Sequence, residues 1–168
     1  MEPLAAVVLQ FGDPFEPSGG VDIAVNLGGG ALSAALTTLV VGAILVAIAP
    51  EYTVRKMDEL RENVVESFFW GLFLALAVGI MIVALLFSFI GIPVALVVGL
   101  VVLVAWAVGA AVAFLAIADR LVGREDGWLV PLLVAAGLNG GLALTGIGGI
   151  LSFCIGAAGF GAVLRDYL

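Results

Sequence analysis

The most constraining feature of this sequence is an uncharged run of 52 residues, from Ser67 to Ala118. A continuous helix of that length would be roughly 78 Å long, whereas the hydrocarbon core of a bilayer is about 30 Å thick. The strong helix breaker within the run is Gly91-Ile92-Pro93, which divides it into pieces of 24 and 26 residues. The run therefore predicts a helical hairpin, with a left-handed Gly91 capping the first helix and Pro93 in the first turn of the second.

The overall composition places the chain among integral membrane proteins. Hydrophobic residues make up 64% of the 168 residues and charged residues only 11%, against about 25% charged residues in soluble domains. Spans of about 20 residues each use nearly all of the apolar residues. We therefore predict one compact all-α domain and no separate soluble domain.

Two further apolar regions complete the predicted topology. The region 30–49 ends at Pro50, and the run 128–164 contains a glycine-rich break at 145–149 and is long enough for two short spans. We predict a five-helix transmembrane bundle at 30–168, built of one span plus two helical hairpins, with a cytoplasmic amphipathic helix at 51–66. The predicted spans are 30–49, 67–90, 93–118, 128–144 and 149–165. A re-entrant pair is the alternative for 128–165.

The positions of the basic residues predict the orientation. They lie between the first two spans, between the third and fourth spans, and after the fifth: Arg55, Lys56, Arg61, Arg120, Arg124 and Arg165. With five spans these places share one side, which the positive-inside rule assigns to the cytoplasm. We expect a multi-pass protein of the cell membrane with its N-terminus outside and its C-terminus cytoplasmic.

The segment before the first span carries no basic n-region of a signal peptide. We predict that residues 1–29 form an extracytoplasmic N-terminal tail, which either lies at the membrane interface or extends into water. Its glycine-rich part, residues 19–30, is predicted to be a flexible lead-in to the first span.

Charge balance and missing residue types argue against several functions. Acidic residues outnumber basic ones by 13 to 6, so no basic face for nucleic acid is expected. The same acidic, lysine-poor composition is typical of a halophilic source. The chain has no histidine and one cysteine, Cys154, which argues against haem or di-iron ligation, Ser-His catalysis and an internal disulfide. We expect no enzyme activity, no catalytic residues, no cofactor and no metal site.

Polar and small residues inside the spans indicate helix packing. Asn139 is the most polar residue at membrane depth, with Thr145, Ser152 and Cys154 nearby. We interpret it as an interhelical hydrogen-bonding residue, with a small polar site as the alternative. Small residues at four-residue spacing predict close backbone contacts, either within one chain or in a homo-oligomer. These stripes are Gly30-Ala34-Thr38-Gly42, Gly71-Ala75-Gly79, Ala105-Gly109-Ala113, Gly137-Gly141 and Gly148-Ser152-Gly156.

The charged segment 51–66 has a helical apolar stripe. Its members are Val54, Met57, Leu60 and Val64. An ion pair is predicted between Glu51 and Arg55, which lie four residues apart on the helix. We interpret the segment as an interfacial helix lying on lipid headgroups, with a docking helix for a cytoplasmic partner as the alternative.

The two predicted hairpins begin alike. Trp70 precedes Gly91 by 21 residues, and Trp128 precedes Gly146 by 18 residues. This similarity suggests an internal repeat of hairpin units.

The order of these parts resembles the membrane module that accompanies bactofilin-type, polymer-forming proteins of bacteria and archaea. The resemblance covers about residues 30–168 and is carried by "AILVAIAPEYTVRKMDELREN", "FIGIPVAL", "AVAFLAIADRLVG" and "TGIGGILSFCIGAAGFGAVL". In that family an extracytoplasmic β-helical domain often precedes the module, which implies a role in anchoring or scaffolding at the envelope. The residues before the first span here carry no repeated β pattern, so the filament partner would be a separate protein.

We therefore expect a non-enzymatic integral membrane scaffold or anchor protein, for a bactofilin-type filament or an envelope assembly. The expected partners are the lipid bilayer, further copies of the chain, and a cytoskeletal or envelope protein. One alternative is a small oligomeric channel or solute-permeation protein lined by Asn139 and Thr145. Another is a structural subunit of a larger membrane or virion complex.

Overall fold

A computed structural model of the protein describes residues 17–88, 91–125, 127–145 and 147–165, with side chains from residue 28 onward. Within these ranges the fold is all-α, as predicted, with six helices and no strand. The helices are α1 (Pro17–Ile48), α2 (Pro50–Glu62), α3 (Val64–Leu86), α4 (Gly91–Val122), α5 (Leu129–Ala143) and α6 (Gly148–Leu164). Besides the five predicted spans there is the amphipathic helix α2, which is separate from both neighbours because the backbone is non-helical at Ala49 and Asn63.

Three of the helical segments are long and apolar enough to cross a membrane. They are residues 28–48 of α1, α3 and α4. The apolar helices α5 and α6 have 15 and 17 residues, fewer than the roughly 20 that a typical span needs. These lengths are consistent with a membrane protein built around three long helices.

The first helix begins earlier than the sequence predicts. Residues 19–30 continue α1 from Pro17, so the predicted flexible lead-in is wrong. Once a helix has nucleated, each added residue gains a hydrogen bond, so the adjoining apolar span extends the helix through the glycine pairs. Residues 1–16 of the predicted tail lie outside the described residues.

The predicted hairpin between α3 and α4 is confirmed, with Pro93 in the first turn of α4. The Ser88 N–H donates to the Leu85 carbonyl at 3.0 Å, and the Gly91 N–H donates to the Ser88 carbonyl at 2.8 Å. The prediction of a left-handed Gly91 is wrong, since positive φ among the described residues occurs only at two glycines of the α4–α5 loop. Gly91 is required for a different reason: a Cβ there would collide with the Leu85 carbonyl.

The turn between α5 and α6 repeats this geometry. The Thr145 N–H donates to the Leu142 carbonyl at 3.0 Å, the Gly148 N–H donates to the Thr145 carbonyl at 3.0 Å, and a Cβ on Gly148 would collide with the Leu142 carbonyl. The two turn sequences are LLFSFIG (85–91) and LALTGIG (142–148). This match supports the predicted repeat, and the residue of the second turn that corresponds to Gly91 is Gly148, not Gly146.

Helix α6 packs between α3 and α4 through backbone contacts at glycines. Gly109 of α4 lies against the backbone of Gly159, and Gly71 of α3 lies against the backbone of Ala157 and Gly161. A Cβ on Gly71 or Gly109 would overlap the neighbouring backbone. The predicted small-residue stripes of α3 and α4 are therefore confirmed at these two positions.

The predicted stripe of α5 is wrong. Gly137 and Gly141 face open space, whereas a Cβ on Gly140 would lie 3.0 Å from both the carbonyl of Ala31 and the Cβ of Ala35 in α1. The packing face is rotated by one residue because the polar side chain of neighbouring Asn139 turns towards α1.

The main buried cluster lies in the half of the bundle that contains α2. It consists of Met57, Leu60, the second half of α4, and alanines and Leu132 from α5 and α6. The other half exposes large apolar side chains on α3 and on the first half of α4, among them Phe69, Phe73, Ile80, Leu96, Leu100 and Val104. Such surfaces suit a hydrocarbon environment, because lipid tails are as apolar as leucine.

Candidate functional site

A polar junction at Asn139 connects three helices. Its Nδ2 donates to the Thr38 hydroxyl at 2.7 Å and to the Ala34 carbonyl at 3.3 Å, and its Oδ1 accepts from the Ser152 hydroxyl at 3.3 Å. Thr38 is buried. The interpretation of Asn139 as an interhelical hydrogen-bonding residue is therefore confirmed.

The other polar residues of this region do not join the junction. The Thr145 hydroxyl donates to the Leu142 carbonyl at 2.9 Å, within the turn before α6. Cys154 lines a separate groove between α3 and α4. Of the predicted group, the structure brings only Asn139 and Ser152 together, and Thr38 is the partner that the sequence did not indicate.

Replacing Asn139 by leucine should lower the free energy of unfolding by about 1–2 kcal/mol, the range for interhelical hydrogen bonds in apolar surroundings. A double-mutant cycle with Thr38→Val should give a coupling energy of about 0.6 kcal/mol or more. Unfolding by SDS in mixed micelles provides the measurement, with Thr145→Val as a control outside the junction. Additive effects of the Asn139 and Thr38 substitutions would contradict the direct bond.

The second polar region is the charged end of the bundle, which comprises α2, residues 119–125 and Arg165. It contains the six basic residues of the chain. Ion pairs join α2 to the last turn of α4, and Arg165 to the start of α3. The structure thus gathers in one place the basic residues that the sequence assigned to one side.

The inner face of α2 packs against the bundle. Its buried residues are Thr53, Lys56, Met57 and Leu60. The predicted stripe is thus rotated, since Val64 is exposed and Lys56 takes a buried place. The interpretation as a helix lying on lipid headgroups stays a prediction, and the buried face of α2 lies against the rest of the bundle.

Lys56 connects α2 to the end of α6. It has no exposed surface, and its Nζ donates to Glu59 Oε2 at 2.7 Å and to the Ala162 carbonyl at 2.9 Å. A buried ammonium group is tolerated only when it is paired and hydrogen-bonded. A cation beside the last carbonyls of a helix is also stabilised by the helix dipole.

Asp119 connects three parts of the charged end. It is 8% exposed, and its carboxylate accepts a hydrogen bond from Arg61 Nη2 at 2.6 Å and forms an ion pair with Arg124 Nε at 2.7 Å. Arg61 Nη2 also donates to the Ala116 carbonyl at 2.8 Å. The Arg124 guanidinium lies 4.9 Å from the centre of the Trp128 ring, an attractive cation–π geometry. Asp119 therefore holds α2, α4 and the α4–α5 loop together.

The outer face of α2 is exposed and mainly acidic. Glu51, Asp58 and Glu62 are all exposed on it, and helical spacing places them on one side together with Arg55. Arg55 lies 3.7 Å from Glu59, so the predicted Glu51–Arg55 pair is replaced by one a turn later. Such exposed pairs contribute little to stability.

Sequence reasoning missed the buried roles of Lys56 and Asp119. A signal existed for Lys56, because residues 53, 56, 57 and 60 share one helical face and this is the only lysine of the chain. Asp119 directly follows the long uncharged run and lies one turn after Ala116. Within the described ranges, no group of three or more acidic or cysteine side chains could hold a metal ion.

Comparison of the chain with known proteins identifies a family through one family model. Neither the curated proteins nor the solved structures include a significant match to the chain. The family model described as "Domain of unknown function (DUF8173)" matches residues 5–168. Since the match covers nearly the whole chain, this protein belongs to the DUF8173 family.

Proposed function

We propose that this protein is a non-enzymatic anchor that crosses the cell membrane five times and holds a partner protein at its cytoplasmic charged end. The three long apolar helices support membrane insertion. Helices α5 and α6 are roughly 22 and 26 Å long, close to the hydrocarbon thickness of about 30 Å. Five crossings put the basic residues on one side, the side that the positive-inside rule places in the cytoplasm.

The observation that carries the proposal is the fixed position of α2. Its inner face is held by buried Lys56 and Met57, and Arg61 ties its last turn to Asp119. The exposed acidic residues on its outer face therefore form a surface of fixed position, which is open to a partner. A fixed surface lowers the entropic cost of binding a partner. This observation favours the docking-helix alternative over the interfacial one.

The resemblance to the membrane module of bactofilin-type proteins suggests the class of partner. A separate filament or envelope protein with a basic patch would complement Glu51, Asp58 and Glu62. Oppositely charged surfaces of this kind chiefly raise the association rate and the specificity. The exposed apolar faces of α3 and α4 would meet lipid or further copies of the chain.

The test is recovery of partners from the protein's own membranes in mild detergent. Combined Asp58→Lys and Glu62→Lys substitutions reverse the charge of the α2 outer face and should reduce recovery of the partner about tenfold or more, as expected for like-charge contacts worth a few kcal/mol. The matched control combines Glu66→Lys with Glu125→Lys, which changes the charge of the same end equally but leaves that face intact. Equal recovery with both double variants, or no specific partner of the wild-type chain, would overturn the proposal.

A further inference from the structure

An apolar groove opens between α3 and α4 with α6 as its floor. Its volume is about 400 Å³, within the range of roughly 300–1,000 Å³ typical of ligand pockets. Phe68 of α3 and Ile117 of α4 line its walls, and Cys154 and Ala158 of α6 line its floor. The groove thus runs along the helices from the apolar part of the bundle to the charged end.

The groove follows from the way the helices pack. Gly71 and Gly109 bring α3 and α4 onto different parts of α6. Small residues line the space that remains between the two helices, namely Ala113, Ala116 and Ala158. Hence no large side chain among the described residues fills the space.

Two arginines stand where the groove meets the charged end. Arg61 and Arg120 both line it. Within the described part of the chain, Arg120 forms no ion pair, whereas Arg55, Lys56, Arg61, Arg124 and Arg165 all do. The Nη groups of Arg61 pair with Asp58 and Asp119, and its Nε is buried, so Arg61 adds positive charge to the mouth and Arg120 is the arginine that is open to a ligand. The mouth therefore offers the exposed guanidinium of Arg120, which forms no ion pair among the described residues.

We propose that this groove binds one hydrocarbon chain of an anionic phospholipid, with the phosphate held by Arg120. This inference rests on the membrane insertion proposed above. Apolar walls suit the chain, and basic pockets between helices on the cytoplasmic side suit anionic headgroups. A partner helix fits less well, because ten residues of helix occupy roughly 1,200 Å³ as a cylinder about 10 Å across, about three times the volume of the groove.

The proposal is tested on the full chain in detergent, titrated with phosphatidylglycerol or with phosphatidylcholine of the same chains. Native mass spectrometry counts the bound lipids. We expect one phosphatidylglycerol to bind about fivefold more tightly than phosphatidylcholine, the effect of about 1 kcal/mol for one basic residue. Arg120→Gln should lose that preference, whereas Arg55→Gln, a surface control outside the groove, should keep it. Ile117→Trp, which fills the groove from an exposed wall position, should abolish binding of both lipids.

Cys154 supplies a second measurement, because it is the single cysteine of the chain and lines the floor. Phosphatidylglycerol should slow its alkylation by N-ethylmaleimide, whereas glycerol phosphate, which has the headgroup chemistry without a chain, should not. Equal affinity for the two lipids, unchanged binding in the Ile117→Trp variant, or a dimer that excludes lipid would each overturn the proposal. These results are independent of partner recovery, so failure of the anchor proposal would be seen separately.

Discussion

Replacing Gly109 by alanine should destabilise the bundle far more than a methyl group added at an open position of α4. The added Cβ would overlap the backbone of Gly159 and Phe160 in α6, and a backbone cannot move aside as a flexible side chain can. The helices would have to separate along their whole contact. We expect a loss of about 3 kcal/mol, at the upper end of the range for overpacking, and a fall of roughly 6–12 °C in the apparent melting temperature of a chain this size.

The matched control is Gly99→Ala in the same helix. A Cβ at position 99 meets nothing within 4 Å, and alanine favours helix by up to about 1 kcal/mol over glycine. The melting temperature of this variant in detergent should be unchanged or higher. Equal losses at positions 99 and 109 would show that the close crossing of α4 and α6 is not what holds the bundle together.

Replacing Asp119 by alanine should release α2 from the bundle. The substitution removes the shared partner of Arg61 and Arg124 and leaves their charges in a partly buried place. Breaking a buried pair by removing one partner costs about 3–5 kcal/mol, and we expect the lower value because both arginines are about a third exposed. Hydrogen exchange should rise throughout α2, while the contacts of α6 with α3 persist.

Asp58→Ala is the control, because Asp58 also pairs with Arg61, at 3.5 Å, but is exposed. Its removal should cost less than about 0.5 kcal/mol, as is usual for surface pairs. Asp119→Asn keeps an acceptor oxygen, so its loss of stability should lie between those of Asp58→Ala and Asp119→Ala. If Asp58→Ala and Asp119→Ala had equal effects on exchange in α2, Asp119 would not be the group that fixes the helix.

The turns between the spans could be predicted because the signals behind them are local. A long uncharged run must turn back within a bilayer, and Pro93 shows where the next helix begins. The turn at Gly148 could have been found in the same way, since its sequence repeats that of the first turn. The early start of α1 was missed because glycines were interpreted as breakers although an adjoining helix extends through them.

The contacts of the charged end could not be predicted, because they depend on which helix ends meet. Lysine is normally exposed, and Lys56 becomes a buried residue only where the Ala162 carbonyl and Glu59 meet its ammonium group. The packing face of α5 likewise depends on Thr38, more than a hundred residues before its partner Asn139. The groove forms where three helices cross, so the sequence of any single helix contains no pattern that predicts it.

The central claim is that five crossings place the charged end in the cytoplasm and both hairpin turns outside. In a Cys154→Ser background, single cysteines at Ser88 and Thr145 report the two turns, and cysteines at Glu62 and Glu125 report the charged end. All four positions are exposed. Each variant is treated in intact cells with a membrane-impermeant thiol reagent, and again after permeabilisation.

We predict that the reagent labels the cysteines at 88 and 145 in intact cells, and those at 62 and 125 only after permeabilisation. Labelling at 88 but not at 145 would show that α5 and α6 form a re-entrant pair. Labelling at 62 or 125 in intact cells would contradict the orientation and, with it, the cytoplasmic anchor.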